Sequence, residues 1–580
     1  MGILILYGKD VHFPLMIKKD SKILCIVYPL VAALTIIFAI SGCQSPAKPP
    51  EEIVIVEQPE DIMGKAQSQL TELLGFIGDS GGKLNDSTLI ANVPVIESIY
   101  EGGGFQPLWS DAKEWHPSGD SLFNMISQAK LYGLFPSDYH LPALLSIRNQ
   151  VVIDTIAKKN VALWTRADIL LTDAFLKLAT HLKYGQLERD SISLRPDSAF
   201  SPEKLASLLQ EVISGSNPRN ILESLEPVHQ PYRAIRAALP AFLDSLDFRN
   251  YQVIPYPNED SLEHIRNVAL RLQEEGLLDK GWTIDDADSY VRAVKKYQQS
   301  MGIPATGFAA ELTVKSLNFT DSEKFRTIAI NLHRYRQLPD SMPETYIIVN
   351  LPAYQLRVYD YDTVVLESRV IVGAAKTPTP VLNSQITNVI TYPQWTVPYS
   401  IIFKEMLPKI QKDIGYLAKQ NLMVVDKYDS VISPETIDWT KLNRRNFPYL
   451  LRQRQGDDNS LGVMKFNFRN KYSVYLHDTN ARGLFSRNAR ALSHGCVRVQ
   501  EWEKLSHFLV RDDEIRYHPD TIKAWISRQE KHIISDFSHI PIYIRYFTCE
   551  AGEKGLRFFS DIYGIDKILS EKHFKSKPVN

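Results

Sequence analysis

The residues best suited to covalent chemistry lie in the run Ser493-His494-Gly495-Cys496-Val497-Arg498. A cysteine reacts as its thiolate, which requires a nearby base and backbone N–H groups that stabilise the oxyanion formed at the attacked carbonyl. Gly495 has no β-carbon, so the main chain there can approach a reacting carbonyl closely. His477 lies upstream in the strand-like run 475–479 and is the candidate base. This pattern predicts nucleophilic catalysis by a cysteine–histidine pair.

Strands are expected to position these residues. From about residue 344, short β-branched or alternating runs are separated by Gly, Pro, Asn and Asp, and they occur at 346–349, 356–359, 364–366, 370–372, 389–392, 474–476 and 542–547. Lys465 and Phe466 are interpreted as strand residues as well. The pattern lapses between Ile401 and Asn459, where helical spacing and then a polar segment indicate an insertion. We therefore predict a mostly-β domain over 323–572 with a cap inserted at about 402–458.

The first half of the chain has helical periodicity instead. Apolar residues recur every three or four positions over 65–250, which predicts a helical domain. Residues 256–322 form a separate compact unit of two or three short helices with a Gly-containing turn. A chain of 580 residues exceeds one hydrophobic core, so about three domains are expected.

Five further runs accompany the cysteine motif, at 349–354, 369–373, 377–380, 395–398 and 459–462. In this order they resemble the L,D-transpeptidases with a YkuD-type catalytic domain, the cysteine enzymes that cross-link bacterial peptidoglycan. The large members of that family also carry a helical scaffold domain and a peptidoglycan-binding module. The resemblance implies a multidomain α+β fold: helical scaffold, small helical peptidoglycan-binding domain, and mostly-β catalytic domain with an inserted cap. A mere spacer remains the alternative for 256–322.

The resemblance also implies roles for individual residues. Cys496 is the expected nucleophile and His477 the general acid/base, with its ring oriented by the backbone carbonyl of Asp478. The backbone N–H groups of His494, Gly495 and Cys496 are expected to form the oxyanion hole. Ser493 and Arg498 are expected to hold the loop, and Arg498 could instead bind a substrate carboxylate through its planar guanidinium. Trp395 and Tyr392 are candidate substrate-groove residues, with buried packing as the alternative.

The first 42 residues read as a targeting segment. Lys18, Lys19 and Lys22 precede an apolar run over 23–40, and Ser41-Gly42-Cys43 follows. This resembles a lipoprotein signal in which Cys43 receives the lipid, and a transmembrane anchor is the alternative. Met16 is an alternative start. Residues 43–64 are proline-rich and charged, which predicts an extended tether.

Composition narrows the partners and cofactors. A net charge of −1 gives no reason to expect nucleic acid. His477, His494 and Cys496 could in principle bind zinc, but no fourth ligand is evident nearby and the family is metal-free, so no cofactor is expected. A Cys496–Cys549 disulfide is the structural alternative in an oxidising compartment. The tail after about residue 571 is expected to be disordered.

The function expected from the resemblance is transfer of a tetrapeptide acyl group to an amine on a second peptidoglycan stem. The same thioester could be hydrolysed, which gives an L,D-carboxypeptidase, or could attach or release a wall protein. A non-catalytic wall-binding scaffold is the remaining alternative. The expected location is the cell envelope, facing the periplasm and anchored by the lipid on Cys43, in the outer membrane of a Gram-negative bacterium.

Overall fold

The computed structural model describes residues 49–577 except positions 86, 189–193, 196, 198, 248, 250, 302 and 554. The predicted signal peptide, 1–42, and Cys43 lie outside the described residues. Within these described ranges, no helix combines the length and the apolar character needed to cross a bilayer.

A helical bundle forms the first unit. Its α-helices are α1 (Ile62–Asp79), α2 (Val93–Gly102), α3 (Pro117–Ser127), α4 (Leu141–Ile153), α5 (Thr155–Lys158), α6 (Val161–Tyr184), α7 (Pro202–Ile213), α8 (Pro218–Glu223) and α9 (Gln230–Asp244). A hairpin of β1 (Lys83–Asn85) and β2 (Thr88–Leu89) is inserted between α1 and α2. Helix α6 is buried on nearly all sides because apolar residues occupy every face of it. The predicted helical scaffold is confirmed.

The predicted tether, 43–64, is wrong at its C-terminal end. The backbone N–H of Val56 donates to the carbonyl of Lys159 at 3.1 Å, and that of Val161 donates to Val54 at 2.9 Å. The Asn160 side chain also accepts from the Val54 N–H at 2.8 Å. These bonds fix the segment on the bundle, and α1 begins at Ile62 rather than after residue 64.

The second unit contains three helices, α10 (Ser261–Glu274), α11 (Ala287–Ser300) and α12 (Glu311–Asn318). Their apolar faces enclose a separate core that includes Val268, Leu272, Val294 and Leu317. Gly307 lies in the turn with φ +76°, and a β-carbon there would approach Val291 Cγ1 to 2.8 Å. The structure therefore has the compact helical unit predicted for 256–322.

A long helix, α13 (Asp321–Arg336), joins the scaffold to the β domain. Its Phe325 packs on Phe135 of the scaffold, and the fully buried Arg336 donates to the Tyr132 carbonyl at 2.8 Å. On another side, Asn331 exchanges hydrogen bonds of 2.7 and 2.9 Å with Thr548 of the β domain. The predicted domain boundary at 323 is wrong because it cuts this shared helix.

The third unit is built from a sheet that closes on itself. Its strands are β3 (Thr345–Asn350), β4 (Gln355–Asp360), β5 (Thr363–Gly373), β6 (Leu382–Thr391), β11 (Met464–Phe468), β12 (Leu476–His477), β13 (Ala491–Ser493), β14 (Val497–Val499), β15 (Ile533–Ile534) and β16 (Pro541–Arg545). The ring runs β11-β12-β14-β5-β4-β3-β16-β6 and returns to β11. Closure removes free sheet edges and encloses one apolar core. The predicted mostly-β domain is confirmed.

The inserted cap has its own small sheet and core. Strands β7 (Trp395–Thr396), β8 (Leu422–Val425), β9 (Val431–Ile432) and β10 (Leu450–Gln453) pair in the order β7-β10-β8-β9. Helix α14 (Tyr399–Ile401), a π-helical turn (Ile402–Met406), α15 (Leu407–Lys412) and α16 (Gly415–Lys419) pack on it. The predicted start at 402 is too late, since Trp395 and Thr396 already pair with β10.

Helices and a hairpin complete the C-terminal part. They are α17 (Trp502–Leu509), α18 (Glu514–Tyr517), α19 (Pro519–Ser527), β17 (Cys549–Gly552), β18 (Gly555–Phe558) and α20 (Ile565–His573). The expected disorder after residue 571 is wrong for the part that the structure describes. Phe574 is fully buried and stacks on Phe135 with ring centroids 4.8 Å apart, and Lys577 pairs with Asp138 at 2.7 Å.

Replacing Phe574 tests this packing. Phe574→Ala should lower the free energy of unfolding of the joined unit by about 3–5 kcal/mol, because it removes a buried ring and leaves a cavity. Thermal denaturation followed by circular dichroism measures the change. Phe308→Ala, which removes a ring that is 74% exposed, is the matched control and should have little effect. Equal stability of the two variants would contradict a packed C-terminal segment.

Candidate active site

Three neighbouring strands place the candidate residues on one face of the sheet. Leu476 pairs with Val497 across the parallel β12–β14 ladder, and both side chains are fully buried in the interior core. Alternate residues of a strand point to opposite faces. His477 and Arg498, which are also paired, therefore lie on the outer face, together with Cys496 two positions before Arg498.

A basic row crosses this outer face. Lys465 of β11 is paired with His477, and His477 with Arg498, so the three side chains occupy adjacent positions on β11, β12 and β14. Adjacent strands are about 4.8 Å apart, which brings both cations near the imidazole. Among the described residues, neither Lys465 nor Arg498 has a carboxylate within ion-pair distance.

Burial and these cations determine the charge of the histidine. Burial, the charge of Arg498 and, more weakly, that of Lys465 lower the pKa of His477 to about 3, against a smaller opposing effect of the Asp478 and Leu461 backbones. The imidazole is therefore neutral throughout the physiological pH range. Its buried Nδ1 has no hydrogen-bond partner among the described residues. A neutral ring with a free nitrogen can accept a proton from a thiol.

Cys496 lies beside Tyr475, which precedes β12 and faces the same side. The Val497 N–H donates to the Tyr475 carbonyl at 3.1 Å, and the Tyr475 hydroxyl interacts by hydrogen bonding with Cys496 and with Trp395. Burial raises the pKa of the Cys496 thiol, while hydrogen bonds from Tyr475 and the charges of Lys465 and Arg498 lower it. The thiol is thus protonated at rest, and the same cations stabilise the thiolate once it forms.

The loop before Cys496 is held by side-chain hydrogen bonds. The Ser493 hydroxyl donates to the Cys496 carbonyl at 2.6 Å and accepts from the Gly495 N–H at 3.1 Å. Thr379 donates to the Gly495 carbonyl at 2.8 Å and accepts from the Gly373 N–H at the same distance. Ser493 therefore holds the loop, as predicted from the motif.

The proposed oxyanion hole needs a correction. The N–H of Gly495 is already bonded to Ser493, so it is not available to a substrate oxyanion in this conformation. For the N–H groups of His494 and Cys496, the described part of the chain provides no acceptor. These two groups remain candidates. Gly495 is required instead for the turn, since its φ is +118°.

The His494 side chain points away from Cys496 and toward the cap. Its Nε2 lies 2.7 Å from Glu405 Oε1, on the π-helical turn. This contact connects the cap to the loop that carries the nucleophile. The His494 side chain thus contacts the cap, and its backbone lies two positions before Cys496.

Asp478 supports the end of β12. Its N–H donates to the Met464 carbonyl at 2.9 Å, and its fully buried carboxylate pairs with Arg482 at 2.7 Å. Gly462 packs so tightly on Asp478 that a β-carbon would lie 2.3 Å from Oδ2. The Asp478 backbone, predicted to orient His477, acts to raise the pKa of the imidazole against the larger effect of burial.

The two candidate substrate-groove residues, Trp395 and Tyr392, have different surroundings. Trp395 is half-buried and contacts Tyr475, so it lies at the site. Tyr392 is 2% exposed and donates to Asp457 at 2.6 Å. The groove interpretation of Tyr392 is wrong, because its ring is packed and its hydroxyl is engaged.

The described residues form no arrangement typical of a metal site. Within the described ranges, no three or more His, Cys, Asp or Glu side chains form a potential metal-binding group. His494 is directed to Glu405 rather than to His477. Cys496 and Cys549 are both free thiols, and Cys549 is fully buried in a core shared with Tyr335 and Phe547.

Sequence reasoning missed three residues of the site: Lys465, Tyr475 and Glu405. Lys465 and Tyr475 were read as strand residues, and their positions opposite or beside His477 become visible only once the register is known. An alternation rule applied outward from His477 would have placed Tyr475 on its face. No sequence signal identifies Glu405, because its contact spans 89 positions.

Comparison with known protein families agrees with this architecture. Residues 344–516 match the L,D-transpeptidase catalytic domain, YkuD, and residues 94–239 match the scaffold domain. A Haemophilus influenzae protein, named provisionally as an L,D-transpeptidase, is 37% identical over 261 residues, which cover 44% of this chain and 50% of that protein. The chain thus spans about half the length of this curated relative.

Solved structures with detectable similarity are also L,D-transpeptidases. L,D-transpeptidase 1 of Mycobacterium tuberculosis is 12% identical, with 36% of this chain and 64% of that chain covered and a TM-score of 0.14. A mutant of the Enterococcus faecium L,D-transpeptidase is 11% identical, with 39% and 64% covered and a TM-score of 0.17.

The two family models therefore match a scaffold domain followed by a YkuD-type catalytic domain. Over residues 344–516 the chain is similar to the catalytic domain of the L,D-transpeptidases.

Proposed function

We propose that this protein is a peptidoglycan L,D-transpeptidase that forms 3-3 cross-links. Cys496 attacks the carbonyl at the L-centre of the diamino acid in a tetrapeptide donor stem. The C–N bond to the terminal D-alanine breaks, and a thioester forms. The side-chain amine of a diamino acid on a second stem then attacks the thioester, and the thiol is released.

The proton follows a short path in this scheme. Neutral His477 takes the proton of the Cys496 thiol as sulfur attacks, and it returns the proton to the amine of the departing D-alanine. An imidazolium between Lys465 and Arg498 is disfavoured by both charges, so it does not accumulate. In the second half-reaction His477 removes a proton from the attacking amine, and the thiolate leaves into the field of the same two cations.

The cap favours an amine over water as the acceptor. Trp395 of the cap interacts with Tyr475, the neighbour of Cys496, and Glu405 contacts the loop through His494 at 2.7 Å. A covered site limits hydrolysis of a thioester while a bound acceptor amine is in place. This supports transfer over the carboxypeptidase reaction and over attachment or release of a wall protein.

One observation carries the proposal. The register of β12 and β14 puts a buried neutral histidine on the same face as a protonated, half-buried cysteine, next to two backbone N–H groups without an acceptor in the described chain. A non-catalytic scaffold would have no use for this arrangement.

Incubation with purified disaccharide-tetrapeptide, followed by mass spectrometry of the products, tests the reaction. The protein should yield a cross-linked dimer and free D-alanine. Cys496→Ala should abolish both products, whereas Cys549→Ala, which removes the other described thiol, should retain them. His477→Ala should slow acylation about a hundredfold or more, while the exposed-residue control His539→Ala should react at the normal rate.

Each other product has a defined meaning. Formation of a tripeptide without any dimer would indicate that the protein is an L,D-carboxypeptidase rather than a transpeptidase. If the folded protein converts no substrate, a non-catalytic wall-binding scaffold is the function that remains. Dimer formation by Cys496→Ala would remove the proposed nucleophile.

We also propose that the protein is anchored in the cell envelope by a lipid on Cys43, facing the periplasm, and that the 256–322 unit binds peptidoglycan. The sequence of residues 18–43 supports the anchor. Large aliphatic side chains are exposed where the described chain begins on the bundle, and they comprise Ile53, Val152, Ile153 and Ile156. Such a patch beside a tether is suited to contact with a lipid surface.

Cell fractionation tests the anchor. The unchanged protein should be recovered with membranes, and Cys43→Ser should abolish acylation because serine has no thiol. Metabolic labelling with a palmitate analogue measures the lipid directly, and the buried thiol variant Cys549→Ala serves as the control. Labelling that persists in Cys43→Ser would contradict the assignment.

A further inference from the structure

Two cations beside His477, Lys465 and Arg498, have no anionic partner among the residues that the structure describes. Arg498 is half-buried, its Nε is buried without a hydrogen-bond acceptor, and neither it nor Lys465 forms an ion pair within the described residues. Arg357, another partly buried arginine of this domain, is paired: it lies 2.7 Å from Glu367 and 3.2 Å from Glu550. Leaving cations in a partly dry site unpaired is unfavourable unless a ligand supplies the anion.

The two cations lie close to the other residues of the candidate site. Lys465 and Arg498 flank His477 in one row across β11, β12 and β14. The Lys465 Nζ lies 4.1 Å from the centre of the Tyr475 ring, which interacts through its hydroxyl with Cys496. The row is therefore separated from the Cys496 sulfur only by the Tyr475 side chain. Both cations have long, flexible side chains that can reach a bound group.

We propose that Lys465 and Arg498 together bind the terminal carboxylate of the donor peptide, on the residue that leaves. This rests on the proposed function and names the recognition element of the same site. One residue spans roughly 3.5 Å, so a C-terminal carboxylate lies that far beyond the carbonyl that Cys496 attacks. Arg498 is two positions along β14 from Cys496, or about 6.6 Å, which leaves room for the intervening residue.

The arrangement has a chemical consequence. A carboxylate between the two cations cancels part of the positive potential at His477, so the imidazole becomes a stronger base as the donor binds. The titratable and charged groups around the imidazole are Lys465, Arg498, the neutral Cys496 thiol and the carboxylate of Asp478, and the last is already paired with Arg482. Donors that end in a free carboxylate are thereby selected over internal peptide segments.

Binding in a non-reacting background tests the proposal. In Cys496→Ala protein, calorimetry gives the Kd of disaccharide-tetrapeptide and of the same compound with a terminal carboxamide. The carboxylate form should bind about 10- to 100-fold more tightly, the range expected for a charge-assisted contact. Adding Lys465→Met or Arg498→Met should reduce this preference about tenfold and leave carboxamide binding nearly unchanged.

Two controls separate recognition from damage. Lys471→Met, an exposed lysine between the same strands, should keep the full preference. Lys465→Arg should also keep it, because the positive charge remains. Retained carboxamide binding in the Met variants shows that the site is intact.

Three results would contradict this proposal, and they differ in what they imply for the proposed function. Equal binding of the two donors by the Cys496→Ala protein overturns the carboxylate assignment and leaves the proposed function standing. A preference that survives in the Lys465→Met/Arg498→Met double variant overturns it as well. No binding of either donor overturns both this assignment and the donor named in the proposed function.

Discussion

The parallel pairing of β12 with β14 is the constraint on which the active site depends. Leu476 and Val497 meet in the interior core and are fully buried, so the residues that alternate with them must face outward. A slip of one residue would turn His477 into the core and separate it from Cys496. The apolar side chains that stabilise the closed sheet therefore also fix which polar side chains can react together. Fold stability and catalytic geometry share the same contacts.

Charge distribution follows from this register. Because β11 pairs with β12 in the adjacent position, Lys465 and Arg498 lie on either side of the imidazole. The two cations oppose protonation of His477 and favour ionisation of Cys496, and they have no carboxylate partner within the described chain. Burial outweighs the effect of the cations on the thiol and keeps it protonated, so the thiol and the imidazole are both neutral. The cap contacts this region through Trp395, which interacts with Tyr475, and through the Glu405–His494 contact, which joins the cap to the loop before Cys496.

The sequence was sufficient for the parts that depend on local patterns. The 493–498 motif predicts Cys496 as the nucleophile and the strand-like run before it predicts His477 as the base, and both roles stay predictions. Helical and alternating periodicities predicted the two helical units and the β domain. Contacts that depend on long-range packing were missed or misread. Lys465 became a site residue only through the register, Tyr392 is packed rather than open, and Phe574 is buried against a scaffold ring 439 positions earlier. The start of the cap was also missed, since Trp395 pairs with a strand more than fifty positions later.

The charge state of His477 is the most direct test of this account. Its ring signal, assigned by comparison with His477→Gln, can be followed by NMR between pH 5 and pH 8. A pKa of about 3, produced by burial and by Arg498 and Lys465, predicts no titration in this range. A midpoint near the ordinary histidine value of about 6.5 would contradict a neutral base held between two cations.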